Sequence, residues 1–306
     1  MTTRKAKTTS GLTLEKKNTI LACAFLFPAV LFIAVFSYYP SIRGIVMAFQ
    51  KVNAFDLAHT PFNGLENFRR LFAIRGFWNF WTNTFIWVVG CVGSELLIGF
   101  IIALLLQKNF TGKRIYESII FIPWALSGFI VGIIFKWIFN GSTGLINDIL
   151  FRLGLITVPI GFLSTAAYAL PSVMVAKVWT GMAFFSIVIG AALKTIPREL
   201  YESAEIDGAN KAQSFIHITL PSLRILLLFT ILMRALSTFS NAELIFSMTG
   251  GGPANASHTV NSWILVSLIA ATDYGLISAT GVSIWIFLSI CSAMYLFFTK
   301  AYKRGD

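Results

Sequence analysis

Apolar residues in this chain come in long unbroken blocks, not in the alternating or one-sided patterns of water-soluble strands and helices. Blocks at 18–39, 83–106, 117–139, 169–192, 223–247 and 277–299 are each long enough to cross a membrane, since a bilayer core of about 30 Å takes roughly 20 helical residues. Their lack of strict alternation predicts helices and not barrel strands, because a spanning helix closes its own backbone hydrogen bonds. The pattern predicts an all-α, polytopic membrane protein with about six transmembrane helices. Residues 1–17 form a first tail, 18–299 the helical domain and 300–306 a second tail.

The connecting segments carry weaker patterns. Between the first two blocks, Phe68, Leu71 and Phe72 are spaced for a short amphipathic helix at the outer surface. Between the third and fourth, a Gly-Ser-Thr-Gly turn at Gly141–Gly144 precedes Leu145, Ile146, Ile149 and Leu150 at helical spacing. After the fifth, Gly250-Gly251-Gly252-Pro253 predicts a flexible break. The fourth and fifth blocks could be joined by a handful of residues, yet the whole of 194–222 intervenes, and it looks ordered. Pro197 suits a first helical position, with Glu199 and Glu202 near the positive end of the helix dipole. Gly208 offers the left-handed turn that ends such a helix, and a second short helix is expected from about Lys211 to Thr219, ending at Pro221. The result is a helix–Gly–helix elbow. Its small residues Ser203, Ala204, Gly208 and Ala209 would let another protein approach the backbone, and Glu202 and Asp207 would supply charge. The alternative is a loop that only reverses the chain.

Composition agrees with the membrane reading: 56% of residues are hydrophobic and 12% charged, where a soluble domain carries about 25% charged residues. The net charge of +11 would suggest nucleic acid but for its placement. Arg4, Lys5, Lys7, Lys16 and Lys17 precede the first block, and Lys108, Lys113 and Arg114 follow the second. Lys194, Arg198, Lys211 and Arg224 flank or occupy the elbow, and Lys300, Lys303 and Arg304 close the chain. The alternate loops hold only Lys51, Arg69, Arg70, Arg75 and Arg152. Positive residues stay inside, so both termini are expected in the cytoplasm, and the bilayer, not nucleic acid, is the expected partner of the basic excess. The first block outruns a secretory signal and reaches Ser37-Tyr38-Tyr39-Pro40 without a cleavage box, so it is expected to persist as a helix. Cys23, Cys91 and Cys291 have no paired spacing and suit apolar packing.

Candidate chemistry is sparse. A phosphate-cradling loop needs G-x4-G-K-[ST], and at Gly112-Lys113 the first position is Gln107 and the last Arg114. His59, His217 and His258 fall in separate loops. No catalytic or metal-binding residue is assigned, and no cofactor is expected on this chain. Polar groups inside a bilayer are functional candidates by default. Arg234 lies in the fifth block, with Asn241 on the same helical face and Glu243 nearer the outer mouth. These are expected to line a path; the alternative for Arg234 is an ion pair with a neighbouring subunit. Lys177, Trp179 and Phe184 in the fourth block are further path candidates, with lipid or subunit packing as the alternative. Glu95, beside Gly93 and Ser94, reads as a hydrogen-bonded structural carboxyl in close helix packing.

Glu202-Ser203-Ala204, Gly208 and Ile218-x-Leu220-Pro221 match the pattern E-A-A-x3-G-x9-I-x-L-P, with Ser203 the one small-for-small departure. The chain thereby resembles the permeases of binding-protein-dependent ABC importers. Phe36-Ser37-Tyr38-Tyr39-Pro40, Gly64-Leu65-Glu66-Asn67-Phe68, Ile206-Asp207-Gly208-Ala209 and Met248 to Pro253 are similar to its sugar branch, the maltose and glycerol-3-phosphate permeases. The resemblance implies a type I importer fold in the plasma membrane, a second permease subunit, two cytoplasmic ATPase subunits that bind ATP and magnesium, and an external solute-binding protein. It implies that Glu202, Ser203, Ala204, Asp207, Gly208, Ala209, Leu220 and Pro221 dock on an ATPase subunit, and that a carbohydrate crosses by alternating access. The alternatives are a non-sugar solute or, distantly, an ion-coupled secondary transporter.

Overall fold

The computed structural model describes residues 14–108, 110–270 and 272–303; the basic residues Arg4, Lys5, Lys7 and Arg304 lie outside these ranges. Among the described residues the regular elements are helices: α1 (Lys16–Ala48), α2 (Glu66–Ala73), α3 (Phe77–Leu105), α4 (Lys113–Ala125), α5 (Gly128–Ile138), α6 (Leu145–Arg152), α7 (Ala166–Leu193), α8 (Arg198–Ile206), α9 (Lys211–Ser240), α10 (Glu243–Thr249), α11 (Val260–Ala270) and α12 (Tyr274–Lys303). The helical membrane fold is thus as expected. The chain packs as two units. The smaller reaches to Phe68 and takes in Asp273–Ser283; the larger holds Arg69–Thr272 and the chain from Ile284.

In the smaller unit, α1 does not stop at Tyr39, where the first apolar block ends. It passes through a π-helical turn, Ala34–Tyr38, in which the Tyr39 N–H bonds to Ala34 O, and runs on to Ala48. The same device recurs in the larger unit. The second arm of the elbow does not end at Pro221, because Phe215–Thr219 form a π turn, the Leu220 N–H bonds to Phe215 O, and the helix continues to Ser240. A proline ring in α geometry collides with the carbonyl four residues back, and in both places a widened turn precedes the proline while the helix carries on. Ala48, Ala279 and Val282 form a small core with Phe49 and Phe68. The fully buried Asn67 donates to Ala48 O (2.9 Å) and Gln50 O (2.8 Å), satisfying carbonyls at the end of α1.

The register within the larger unit shows what the bent pair α4 and α5 does. Gly90 abuts Met174, Glu95 abuts Gly181 and Gly99 abuts Phe185, so α3 and α7 run parallel. The chain between them must therefore return across the bundle, and α4 with α5 is the apolar segment that does so, despite a bend of 98° between them. Leu126 and Ser127 are extended at this break, after Pro123. A second break follows α9. Asn241 is extended (φ −80°, ψ 103°), and α10 starts at Glu243. The fifth block is thus not one helix, and Asn241 does not share a helical face with Arg234. The two breaks meet: Gly128 lies against Glu243 and Asn241, and Gly132 against Ser247. α11, an apolar helix of 11 residues, has no counterpart in the sequence expectations; it is too short to cross.

The Gly250–Pro253 segment is no flexible break. Gly250 (φ 60°) ends α10 with its N–H on Ile245 O and Phe246 O, both at 3.0 Å. Ser257 Oγ lies 2.8 Å from Thr249 Oγ1 and donates to Gly252 O at 2.6 Å. The His258 ring occupies the space that a side chain at Gly251 would need. Buried groups with internal partners fix the turn.

Candidate functional site

Three helices build a charged centre inside the apolar bundle. α3 supplies Glu95, fully buried, and α9 supplies Arg234; Arg234 Nε donates to Glu95 Oε2 at 2.6 Å. α7 supplies the floor. Lys177, Gly181 and Phe184 recur at i, i+4 and i+7, one stripe of a helix. Gly181 admits the pair: a methyl group there would overlap the Glu95 carboxylate and an Arg234 Nη. The Arg234 guanidinium also sits over the Phe184 ring, 5.3 Å from its centroid, a cation–π contact that strengthens when water is excluded. Buried charge is costly unless paired, and here the partner for Arg234 lies in its own chain. The close packing near Glu95 comes from Gly181 and Gly99, whereas Gly93 faces open space.

The other path candidates divide. Lys177 is 5% exposed and lies in the electrostatic field of Glu95 and Arg234. Asn241 and Glu243 stand at the second helix break, where Glu243 is exposed and Asn241 Oδ1 is buried without a hydrogen-bond partner. Trp179 is turned elsewhere, 5.4 Å from the Phe135 ring in the apolar core. Glu95 Oε1 and Thr238 Oγ1 are likewise buried and unpartnered. Such atoms call for a ligand, a water or strain as explanation. Discontinuous helices with unpaired polar groups at their breaks are a recurring way to build a solute site inside a membrane.

The elbow is ordered as expected over its first arm. α8 follows Pro197, and Gly208 (φ 80°) makes the turn. Asn210 and Gln213 then cap the second arm reciprocally, at 2.9 and 2.8 Å. The Tyr201 hydroxyl lies 2.8 Å from Thr219 Oγ1, bracing one arm against the other. Ala204, Asp207, Gly208 and Ala209 line a groove of about 320 Å³ with Gln213 and His217. Glu202 pairs with Arg198 at 3.0 Å on the exposed side. Ile206, 87% exposed at the tip, stood out in the sequence only as part of the Ile206–Ala209 resemblance and not among the expected docking residues; its place next to the small-residue run was the available signal. Leu220 and Pro221 belong to the π-turn junction and not to the tip.

The elbow joins two of the three helices that hold the charged centre. α7 enters it and α9 leaves it without interruption. Arg234 stands 19 residues beyond Phe215, about 28 Å along a helix.

These features define a polytopic membrane protein whose buried charged centre and exposed elbow share two helices. The family model described as "Binding-protein-dependent transport system inner membrane component" matches residues 95–304, and the chain belongs to that family. It is 31% identical over 284 residues to the sulfoquinovosyl glycerol transport system permease protein SmoG of Agrobacterium fabrum, covering 92% of this chain and 91% of SmoG. It is 30% identical over 285 residues to the trehalose/maltose transport system permease protein MalF of Thermococcus litoralis, covering 92% and 95%. A crystal structure of a bacterial ABC transporter that imports the acidic polysaccharide alginate shares the fold. The TM-score is 0.78 at 24% identity, covering 95% of this chain and 97% of that one.

Proposed function

We propose that this chain is the membrane-spanning subunit of an ATP-driven importer of a sugar or oligosaccharide, paired with a second permease and driven by two cytoplasmic ATPase subunits. Relatives named for sulfoquinovosyl glycerol and for trehalose and maltose support the solute class. An external binding protein delivers the solute. In support, a bacterial alginate ABC transporter of similar fold has been crystallised in complex with its alginate pentasaccharide-bound periplasmic protein. The elbow faces the cytoplasm, with both termini, and Ile206, Asp207 and Gly208 enter a cleft on an ATPase subunit.

The observation that carries this reading is the shared helix. When the ATPase pair closes, the elbow moves and α9 carries that displacement to Arg234, while α7 carries it to Gly181 and Phe184. A two-state bundle responds if the elbow docks differently in the two states. The test is Glu202→Lys in the reconstituted transporter. Reversing this charge beside Arg198 should abolish import while the subunits still assemble; import at the wild-type rate would remove the coupling role.

A further inference from the structure

The charges of the buried centre do not balance. Arg234 and Lys177 bring two cations, 9% and 5% exposed, against the single carboxylate of Glu95. Arg234 spends only Nε on Glu95. Among the described residues its Nη groups donate no hydrogen bond, and the Lys177 ammonium has neither a hydrogen bond nor an ion pair. The Lys177 amine and the Arg234 Nη groups thus have no hydrogen-bond partner among the described residues, inside a segment where a charged group favours a counter-charge. Both cations belong to one charged neighbourhood: Lys177 lies four residues before Gly181 and Phe184 three after it on one stripe of α7, Gly181 seats the Glu95–Arg234 pair, and Lys177 feels the charges of both. Glu95 holds the guanidinium by one nitrogen and so orients its other two. That outer edge is the geometry that grips a planar oxyanion at two points, while a lysine adds a mobile point charge.

We infer that the transported solute is an acidic sugar, whose carboxylate or sulfonate is taken by Lys177 and the Nη groups of Arg234 while Glu95 positions the arginine. This rests on the sugar-import reading and narrows it. Sugar hydroxyls would meet the unpartnered oxygens of Thr238 and Asn241 further along the same chain segment. A neutral sugar would leave the excess cation without a counter-charge unless a second permease supplied one.

The test uses the complete transporter with its own binding protein in proteoliposomes. The probes are a glucuronate-terminated disaccharide, its glucose-terminated counterpart and a sulfonated hexose. ATP-driven uptake of at least one anionic probe should exceed that of the neutral one by tenfold or more. Lys177→Gln should cut anion uptake about tenfold with the binding protein unchanged, and Lys177→Arg should restore it to within about threefold, which a merely structural lysine would not require. Gel filtration of the Lys177→Gln complex confirms assembly; if it fails to assemble, the Lys177→Arg preference and the wild-type ratio decide alone. Neutral uptake equal to or faster than anionic uptake, or an unaltered anion rate in Lys177→Gln, overturns the inference and leaves sugar import standing. No ATP-driven uptake of any sugar would sink the importer reading itself.

Discussion

Tyr201 and Thr219 hold the elbow closed: the phenol oxygen of one lies 2.8 Å from the hydroxyl of the other, 18 residues on. One bond thereby links the exposed arm to the π turn from which the fifth span rises. Tyr201→Phe removes a neutral hydrogen bond, a net loss of about 1 kcal/mol. Sugar moved per ATP hydrolysed should fall severalfold while ATPase activity persists, as measured by parallel uptake and phosphate release. An unchanged ratio would mean that the brace is idle.

Gly181→Ala should displace the ion pair. The added methyl overlaps the Glu95 carboxylate and the Arg234 guanidinium, and overpacking of this kind costs about 1–3 kcal/mol. The expected outcome is a lower melting temperature in detergent and strongly reduced uptake.

The pair itself is testable by a cycle. Glu95→Gln alone leaves Arg234 buried without its counter-charge, a loss of about 3–5 kcal/mol. Adding Arg234→Met should recover most of that stability. On the proposal that Arg234 takes the solute, uptake should stay lost in the double variant although stability returns.

His258 gives a pH signature outside the spans. Burial against Phe80 and Gly251 lowers its pKa from 6.5 to about 4. Between those values the unfolded chain takes up a proton that the native loop refuses, so the unfolded state gains as pH falls. The stability contribution is complete above about pH 6.5 and disappears as pH drops through about 4. Melting temperature measured across that window should fall with acidity, and His258→Gln should flatten the slope.

What could be read in the sequence was whatever depends on local periodicity. The six apolar blocks, α2, α6 and the first arm of the elbow follow from spacing and punctuation alone. A proline misled: Pro221 read as a helix end, but a π turn ahead of it keeps the helix going, as a like turn carries α1 past Pro40. The break at Asn241 has neither proline nor glycine to mark it; the polar cluster of Ser237, Thr238, Ser240, Asn241 and Glu243 was its one signal. Glu95 and Arg234 were each visible as intramembrane charges, yet 139 residues separate them. Only the parallel register of α3 and α7, with α9 laid against both, brings them together on Gly181. Trp179 had the chemistry of a sugar platform, but its ring turned toward Phe135.

The most direct test of the account places a photo-crosslinking amino acid at Ile206, the exposed apolar tip of α8. Illuminated in the assembled transporter, this position should form an adduct with an ATPase subunit, and the yield should change between nucleotide-free and ATP-bound states. Adducts confined to lipid or permease, or a yield indifferent to nucleotide, would contradict the claim that motion enters this chain through the elbow.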